Sequence, residues 1–175
     1  NTDVEGLARA LDGFLEGGVE GNRVLVLGAG GAARACLVSL IDRGVKEIQL
    51  LNRTSERARA VARRIGGERV RVVDDARGVE GASYDLVLNT TSLGLEPNDP
   101  LPLDPGILGR AGAVMDLVYG PASTPFVKRA RELGIRAVDG RDMLIHQGAV
   151  SFERWWNRVP SLDVMRSALE NQLAG

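Results

Sequence analysis

The stretch Val24-Leu25-Val26-Leu27-Gly28-Ala29-Gly30-Gly31-Ala32-Ala33 restricts the possible folds more than any other part of the chain. An apolar run of this length reads as a buried strand, and the small residues after it read as a turn that opens a helix. The spacing Gly28-x-Gly30-x-x-Ala33 is one form of the Rossmann dinucleotide-binding pattern. In that pattern Gly28 makes the tight turn, Gly30 lets the backbone approach a pyrophosphate, and Ala33 lets helix and strand pack closely. Free N–H groups at the helix start favour an anion. Gly28, Ala29, Gly30, Gly31 and Ala32 are therefore candidate cofactor residues. Glycine-rich strand ends also occur as plain tight turns, so the reading rests on the strand before and the helix after.

The rest of the chain repeats this alternation. A helix opens at Thr2-Asp3, carries Val4, Leu7, Leu11, Phe14 and Leu15 at helical spacing, and ends at Gly17-Gly18. Strands are expected at 23–27, 47–51, 70–73, 85–89, 113–117 and 136–138, with helices at 31–43, 55–65, 106–108 and 124–133. The tail reads as two helices, 140–157 and 161–173, broken at Pro160. Strands and helices in alternation imply a parallel sheet with right-handed crossovers. The expected fold is α/β: a Rossmann-type doubly wound parallel sheet of about six strands, in the order 3-2-1-4-5-6, with a C-terminal helical tail. Residues 1–139 form the dinucleotide-binding domain with its leading helix, and 140–175 the tail. The loop 96–105, with Pro97, Pro100, Pro102 and Pro105, reads as a stiff connection, with a mobile lid as the alternative.

Composition excludes several function classes. A net charge of −1 over 175 residues gives no electrostatic case for nucleic acid or an anionic membrane. No apolar run reaches the ~18 residues of a membrane span, and no signal peptide is visible. Cys36 is the single cysteine, so no intrachain disulfide forms and a reducing compartment, the cytoplasm, is expected. Its place inside a helix suggests a buried small apolar residue. His146 is the single histidine, which excludes a multi-histidine metal site, and no metal is expected. The chain opens on Asn1 rather than Met and goes at once into an organised segment, so it is expected to be part of a longer protein.

The second strand decides which dinucleotide. An NAD site carries Asp or Glu about 20 residues beyond the glycines, bonded to the ribose hydroxyls. Here the strand ends Leu50-Leu51-Asn52-Arg53-Thr54, with Arg57 one turn further and no carboxylate at the tip. A guanidinium there can pair a 2′-phosphate in a bidentate way and stack on adenine. Asn52 and Thr54 add neutral hydrogen-bonding groups. Cations in the first turn of a helix oppose its dipole by ~0.3–1 kcal/mol. The arginines could still be a solvated helix start, with Glu56 offsetting part of that. NADP is the expected cofactor.

Taken together, these features resemble shikimate dehydrogenase. The resemblance runs along the whole chain: Asn1-Thr2-Asp3, the Gly28–Ala33 loop, Asn52-Arg53-Thr54 with Arg57, Asn89-Thr90-Thr91-Ser92-Leu93-Gly94, Asp116-Leu117-Val118-Tyr119, and Gly140-x-x-Met143-Leu144-x-x-Gln147. It implies reversible NADPH-dependent reduction of 3-dehydroshikimate to shikimate, in the chorismate route to aromatic amino acids. It also implies that an N-terminal catalytic domain of the same protein precedes this chain and receives its last helices. By the same resemblance Asp3 matches the aspartate of a catalytic Lys–Asp pair. Thr2, Tyr119 and Gln147 match substrate-pocket positions. Asn52, Arg53, Thr54 and Arg57 match a 2′-phosphate clamp; Asn89, Thr90, Thr91 and Ser92 match the loop under the cofactor; Leu117 and Gly140 fall at the nicotinamide pocket. The family's lysine and serine-containing substrate loop have no counterpart here, since Lys46 and Lys128 are the only lysines and both read as surface charges.

Each residue has a plainer reading as well. Asp3 can be an N-cap acid, His146 a structural or partly exposed side chain, and Tyr119 a packing tyrosine. Trp155-Trp156 reads as core or as a domain contact rather than a base-stacking platform. Two other functions compete with the dehydrogenase: an NADP(H)-binding module inactive by itself, and the NADP domain of a glutamyl-tRNA reductase-like enzyme. A homodimer is left open.

Overall fold

The computed structural model describes residues 1–96 and 98–174. Pro97, one of the prolines of the 96–105 loop, lies outside them. The element order is α1 (Thr2–Phe14), β1 (Arg23–Leu27), α2 (Gly31–Asp42), β2 (Glu47–Leu51), α3 (Ser55–Val61), β3 (Val70–Val73), β4 (Tyr84–Asn89), α4 (Pro105–Leu108), β5 (Ala111–Asp116), α5 (Pro125–Glu132), β6 (Arg136–Val138), α6 (Arg141–Trp156) and α7 (Leu162–Ala174). The six strands form one parallel sheet in the order β3-β2-β1-β4-β5-β6, as the alternation predicts.

Residues 24–27 of β1, 86–88 of β4 and 113–115 of β5 are apolar on both faces because helices cover both. Val24 and Val26 of β1 point into one core layer with Leu7 and Leu11 of α1 and Leu37 and Leu40 of α2. Leu25 and Leu27 point into the other, with Leu108 of α4 and Phe126 and Val127 of α5. The period-2 alternation of a single strand therefore feeds two cores. Ala33 and Cys36 are fully buried in the first layer, so the close helix–strand packing expected of Ala33 is present. Burial pushes the Cys36 thiol up to about 12, leaving an inert apolar side chain.

Local chemistry sets the boundaries. Asn1, not Asp3, caps α1: its Oδ1 accepts from Asp3 N at 3.0 Å. This corrects the cap reading of Asp3, which stands inside the first turn. The helix after β2 leaves α geometry at Val61 and runs through a π turn, Ala62–Gly66, and a 3-10 turn, Gly67–Arg69. Gly66 presses on Val70 so closely that a Cβ would lie 2.4 Å from the valine side chain. A regular helix to residue 65 is therefore cut short. Thr124 caps α5 and Pro125 occupies its first turn.

α1 and α6 pack against each other. A Cβ on Gly6 would lie 2.9 Å from the Gln147 backbone, so the two helices approach closely there. Arg9 bridges Glu5 and Glu153 at 2.7 Å, and Arg154 reaches Glu5 at 3.1 Å. Trp155 and Trp156 at the end of α6 are 78% and 66% exposed, so the core reading of this pair is wrong. α7 has no buried residue among those described.

Candidate functional site

A cleft of about 580 Å³ opens at the carboxyl ends of β1, β2, β3 and β4. That is the edge where open α/β sheets bind ligands. Of the expected cofactor residues, Gly28, Ala29, Gly30, Asn52, Arg53, Thr90, Thr91 and Ser92 line it; Gly31, Ala32, Thr54, Arg57, Asn89, Leu117 and Gly140 do not.

The two glycines of the loop do different work. Gly28 is buried at φ +106°, and a Cβ there would stand 2.7 Å from Thr90 Oγ1 and 3.2 Å from the Thr90 carbonyl carbon. It must be glycine for conformation and for contact. Gly30 has an extended backbone (φ −89°, ψ −162°), and a Cβ would meet no protein atom within 4 Å. Nothing in the protein demands glycine there; the open space faces the cleft. Gly30 is also the N-cap of α2, which has no side-chain cap and no acid in its first turn. The first N–H groups of that 12-residue helix thus lack a protein acceptor and suit a phosphate. The cradle fits a dinucleotide pyrophosphate.

At the tip of β2 the Asn52 side chain donates to Thr54 O at 2.8 Å and shapes the turn. Arg53, Thr54 and Arg57 are exposed, and among the described residues neither Arg53 nor Arg57 makes a salt bridge. Their neighbour Arg59 is paired with Asp74 at 2.5 Å. The turn after β3 adds Asp74, Asp75 and Ala76 to the cleft wall, and Pro102 closes it. Asp75 holds the 3-10 turn Ala76–Val79 by accepting from Arg77 N and Gly78 N. The adjacent Arg77 keeps its carboxyl below the usual range. Asp74, Asp75 and Ala76 belong to no motif singled out in the sequence, although two acids directly after a strand at the ligand edge are a usable signal.

The loop after β4 is tied down from below. Thr90 donates to Leu27 O from its hydroxyl at 2.6 Å and from its amide at 2.9 Å. Asn89, fully buried, donates to Asp116 Oδ1 at 2.8 Å and to Leu93 O at 3.2 Å. It accepts from Thr91 N at 3.1 Å and from Thr91 Oγ1 at 2.7 Å. All four hydrogen-bonding positions of its amide are taken. The Asn89 side chain is thus committed to holding the loop that follows β4 in place. Leu117 and Gly140 meet at the other end, where a Cβ on Gly140 would lie 2.2 Å from Leu117 O.

Asp3 and Gln147, far apart in sequence, are hydrogen-bonded through Gln147 Nε2 and an Asp3 carboxylate oxygen. Thr2 is half-buried beside Asp3. Tyr119 is 39% exposed on the loop after β5 and, among the described residues, makes no hydrogen bond to that pair. His146, next to Gln147, has a buried Nδ1 with no partner, and burial lowers its pKa. Among the described residues there is no cluster of metal-ligating side chains and no helix long and apolar enough to cross a membrane.

Comparison with known proteins finds a family over both parts of the chain. A family described as shikimate/quinate 5-dehydrogenase matches residues 12–93, and the shikimate 5′-dehydrogenase C-terminal domain matches residues 140–170. The chain belongs to the shikimate dehydrogenase family. The shikimate dehydrogenase (NADP(+)) of Nitrobacter hamburgensis is 41% identical over 169 residues, covering 97% of this chain and 59% of that protein. A shikimate dehydrogenase solved in complex with NADP+ superposes with a TM-score of 0.87 at 32% identity, over 100% of this chain and 62% of the other. Quinate dehydrogenase of Corynebacterium glutamicum, solved with NAD, gives a TM-score of 0.85 at 34% identity, over 98% of this chain and 62% of the other. The chain spans about three fifths of the length of the curated relatives it matches. The glutamyl-tRNA reductase alternative is set aside by this membership.

Proposed function

We propose that this chain binds NADP(H) in the cleft and supplies the cofactor half of an enzyme that reversibly reduces 3-dehydroshikimate to shikimate. The observation that carries the cofactor is the tip of β2. Where an NAD site has a ribose-binding carboxylate, this chain has Arg53, and neither Arg53 nor Arg57 is neutralised by a salt bridge among the described residues. Relatives named for NADP(+) and a neighbour solved with it support the same reading.

When bound, NADPH supplies the hydride that converts a ketone to an alcohol. The chain's own residues hold it: the Gly28–Gly30 backbone and the first turn of α2 face the pyrophosphate, Arg53 and Arg57 the 2′-phosphate. Asn52 and Thr54 support the clamp. Thr90, Thr91 and Ser92 form the floor, with Leu117 and Gly140 at the nicotinamide end. Asp3 and Gln147 form the polar part of a substrate site to which Thr2 and Tyr119 contribute. The alcohol oxygen must take up a proton, and Asp3 is placed to orient a cationic donor such as the family's lysine. That donor and the remaining substrate contacts belong to an N-terminal domain against which α6 and α7, with Trp155 and Trp156, would pack. On that account the present chain alone binds cofactor without turnover. The enzyme would work in the cytoplasm.

The test is the double variant Arg53→Ala/Arg57→Ala, titrated with NADPH and NADH by calorimetry. The account predicts at least about tenfold weaker NADPH binding with NADH little changed, the scale of charge-assisted hydrogen bonds to a phosphate. Equal losses for both would remove the 2′-phosphate clamp. A second reading, quinate oxidation, is favoured by the fit to quinate dehydrogenase. Shikimate and quinate as competing substrates of a protein that includes the N-terminal domain would separate the two.

A further inference from the structure

The end of the sheet holds a charge that the cofactor clamp does not use. Asp116, the last residue of β5, is fully buried, and no salt bridge reaches it among the described residues. Strand register puts Leu27, Asn89 and Asp116 side by side across β1, β4 and β5. A carboxylate so deeply buried must be satisfied by hydrogen bonds, and three donors satisfy it. Asn89 Nδ2 and Val118 N reach Oδ1 at 2.8 and 3.1 Å, and Thr124 Oγ1 reaches Oδ2 at 2.6 Å. The donors come from three different segments: the last residue of β4, the loop after β5, and the cap of α5.

We propose that Asp116 is a positioning residue that fixes the nicotinamide side of the cleft. The proposal rests on the cofactor reading above. Through Asn89 it sets Thr91 and Leu93, which line the cleft. Through Val118 N it sets the turn whose neighbour Leu117 packs on Gly140. Leu117 N also donates to Asn89 O at 2.9 Å, closing the ring between the two loops. A Rossmann sheet receives the two halves of a dinucleotide on either side of its switch point. The adenosine side here is built by β2 and β3, which Asp116 does not touch. Its influence therefore falls on the other half. No neutral side chain of this size offers acceptors to all three donors. Asparagine keeps one acceptor oxygen for Asn89 and Val118 while its amide turns to the Thr124 hydroxyl.

The experiment compares two ligands on wild type, Asp116→Ala and Asp116→Asn of this chain: NADPH, which spans the cleft, and 2′,5′-ADP, which fills only the adenosine side. Binding is read by calorimetry, and thermal unfolding checks the fold. Asp116→Ala should weaken NADPH by about tenfold or more, the loss of several hydrogen bonds to a charged acceptor, while 2′,5′-ADP stays within about twofold. Asp116→Asn should fall between wild type and alanine, a partial rescue that follows acceptor geometry. If Asp116→Ala gives no cooperative transition, Asp116→Asn carries the comparison, with NADPH weakened about threefold and 2′,5′-ADP unchanged. Equal losses for both ligands, or unchanged NADPH binding, would overturn the assignment. Wild type binding neither ligand would overturn the cofactor reading and this proposal with it.

Discussion

Alanine at Gly28 and at Gly30 should fail in different ways. At Gly28 the backbone sits at φ +106°, and the new methyl would press on Thr90 Oγ1 from 2.7 Å. The strained conformation costs roughly 1–3 kcal/mol. Moving Thr90 also breaks its 2.6 Å bond to Leu27 O, worth about 1 kcal/mol. Gly28→Ala should therefore lose about 2–4 kcal/mol of stability. With a urea slope of roughly 2 kcal/mol/M, the midpoint moves down by about 1–2 M. At Gly30 the methyl meets nothing within 4 Å and the backbone is extended. Gly30→Ala should keep its stability, or gain up to ~1 kcal/mol from a stiffer unfolded chain. It should nonetheless lose NADPH binding by at least about tenfold, because the methyl stands where the pyrophosphate must approach. Urea denaturation followed by circular dichroism reads the first quantity and calorimetric titration the second. Equal midpoints for the two variants, or full NADPH affinity in Gly30→Ala, would refute the division of labour.

Two further substitutions probe the region around α6. Gly140→Ala would force a Cβ to within 2.2 Å of Leu117 O, and overpacking of this kind costs typically about 1–3 kcal/mol; a urea midpoint equal to wild type would contradict it. His146 has its pKa lowered from the ordinary 6.5, first by burial and then by Arg9 and Arg166, with Asp142 acting the other way. Below 6.5 the unfolded chain binds more protons than the folded one, so stability is complete above that pH and is lost as pH falls through the folded value. His146→Gln should flatten the fall in stability as pH drops below 6.5, measured by denaturation at each pH; an unaltered slope would count against it.

Four of the six strands, β1, β2, β3 and β6, have the bounds expected from the sequence. The order of the sheet follows from the alternation taken together with the Rossmann pattern at Gly28–Ala33. The differences from expectation lie in short-range packing and capping that periodicity does not register, and in side chains left uncovered. Gly66 against Val70 ended α3 early, Asn1 rather than Asp3 made the cap, and the two tryptophans lie outside this chain's own core. At the site, Gly28, Gly30 and Arg53 were legible because each is a local pattern with a fixed spacing. Asp116 was visible only as part of a family motif, because its role depends on Asn89 and Thr124, which only the folded sheet brings to it. Asp74 and Asp75 were passed over for the same reason: their place in the cleft depends on β3 lying beside β2.

The central claim is that the cleft selects a 2′-phosphorylated dinucleotide. Calorimetric titration of the unmodified chain with NADPH and with NADH tests it most directly. The account predicts NADPH bound at least about tenfold more tightly, with the difference shrinking as salt screens the exposed Arg53 and Arg57. Equal affinity for the two, or tighter NADH, would contradict it.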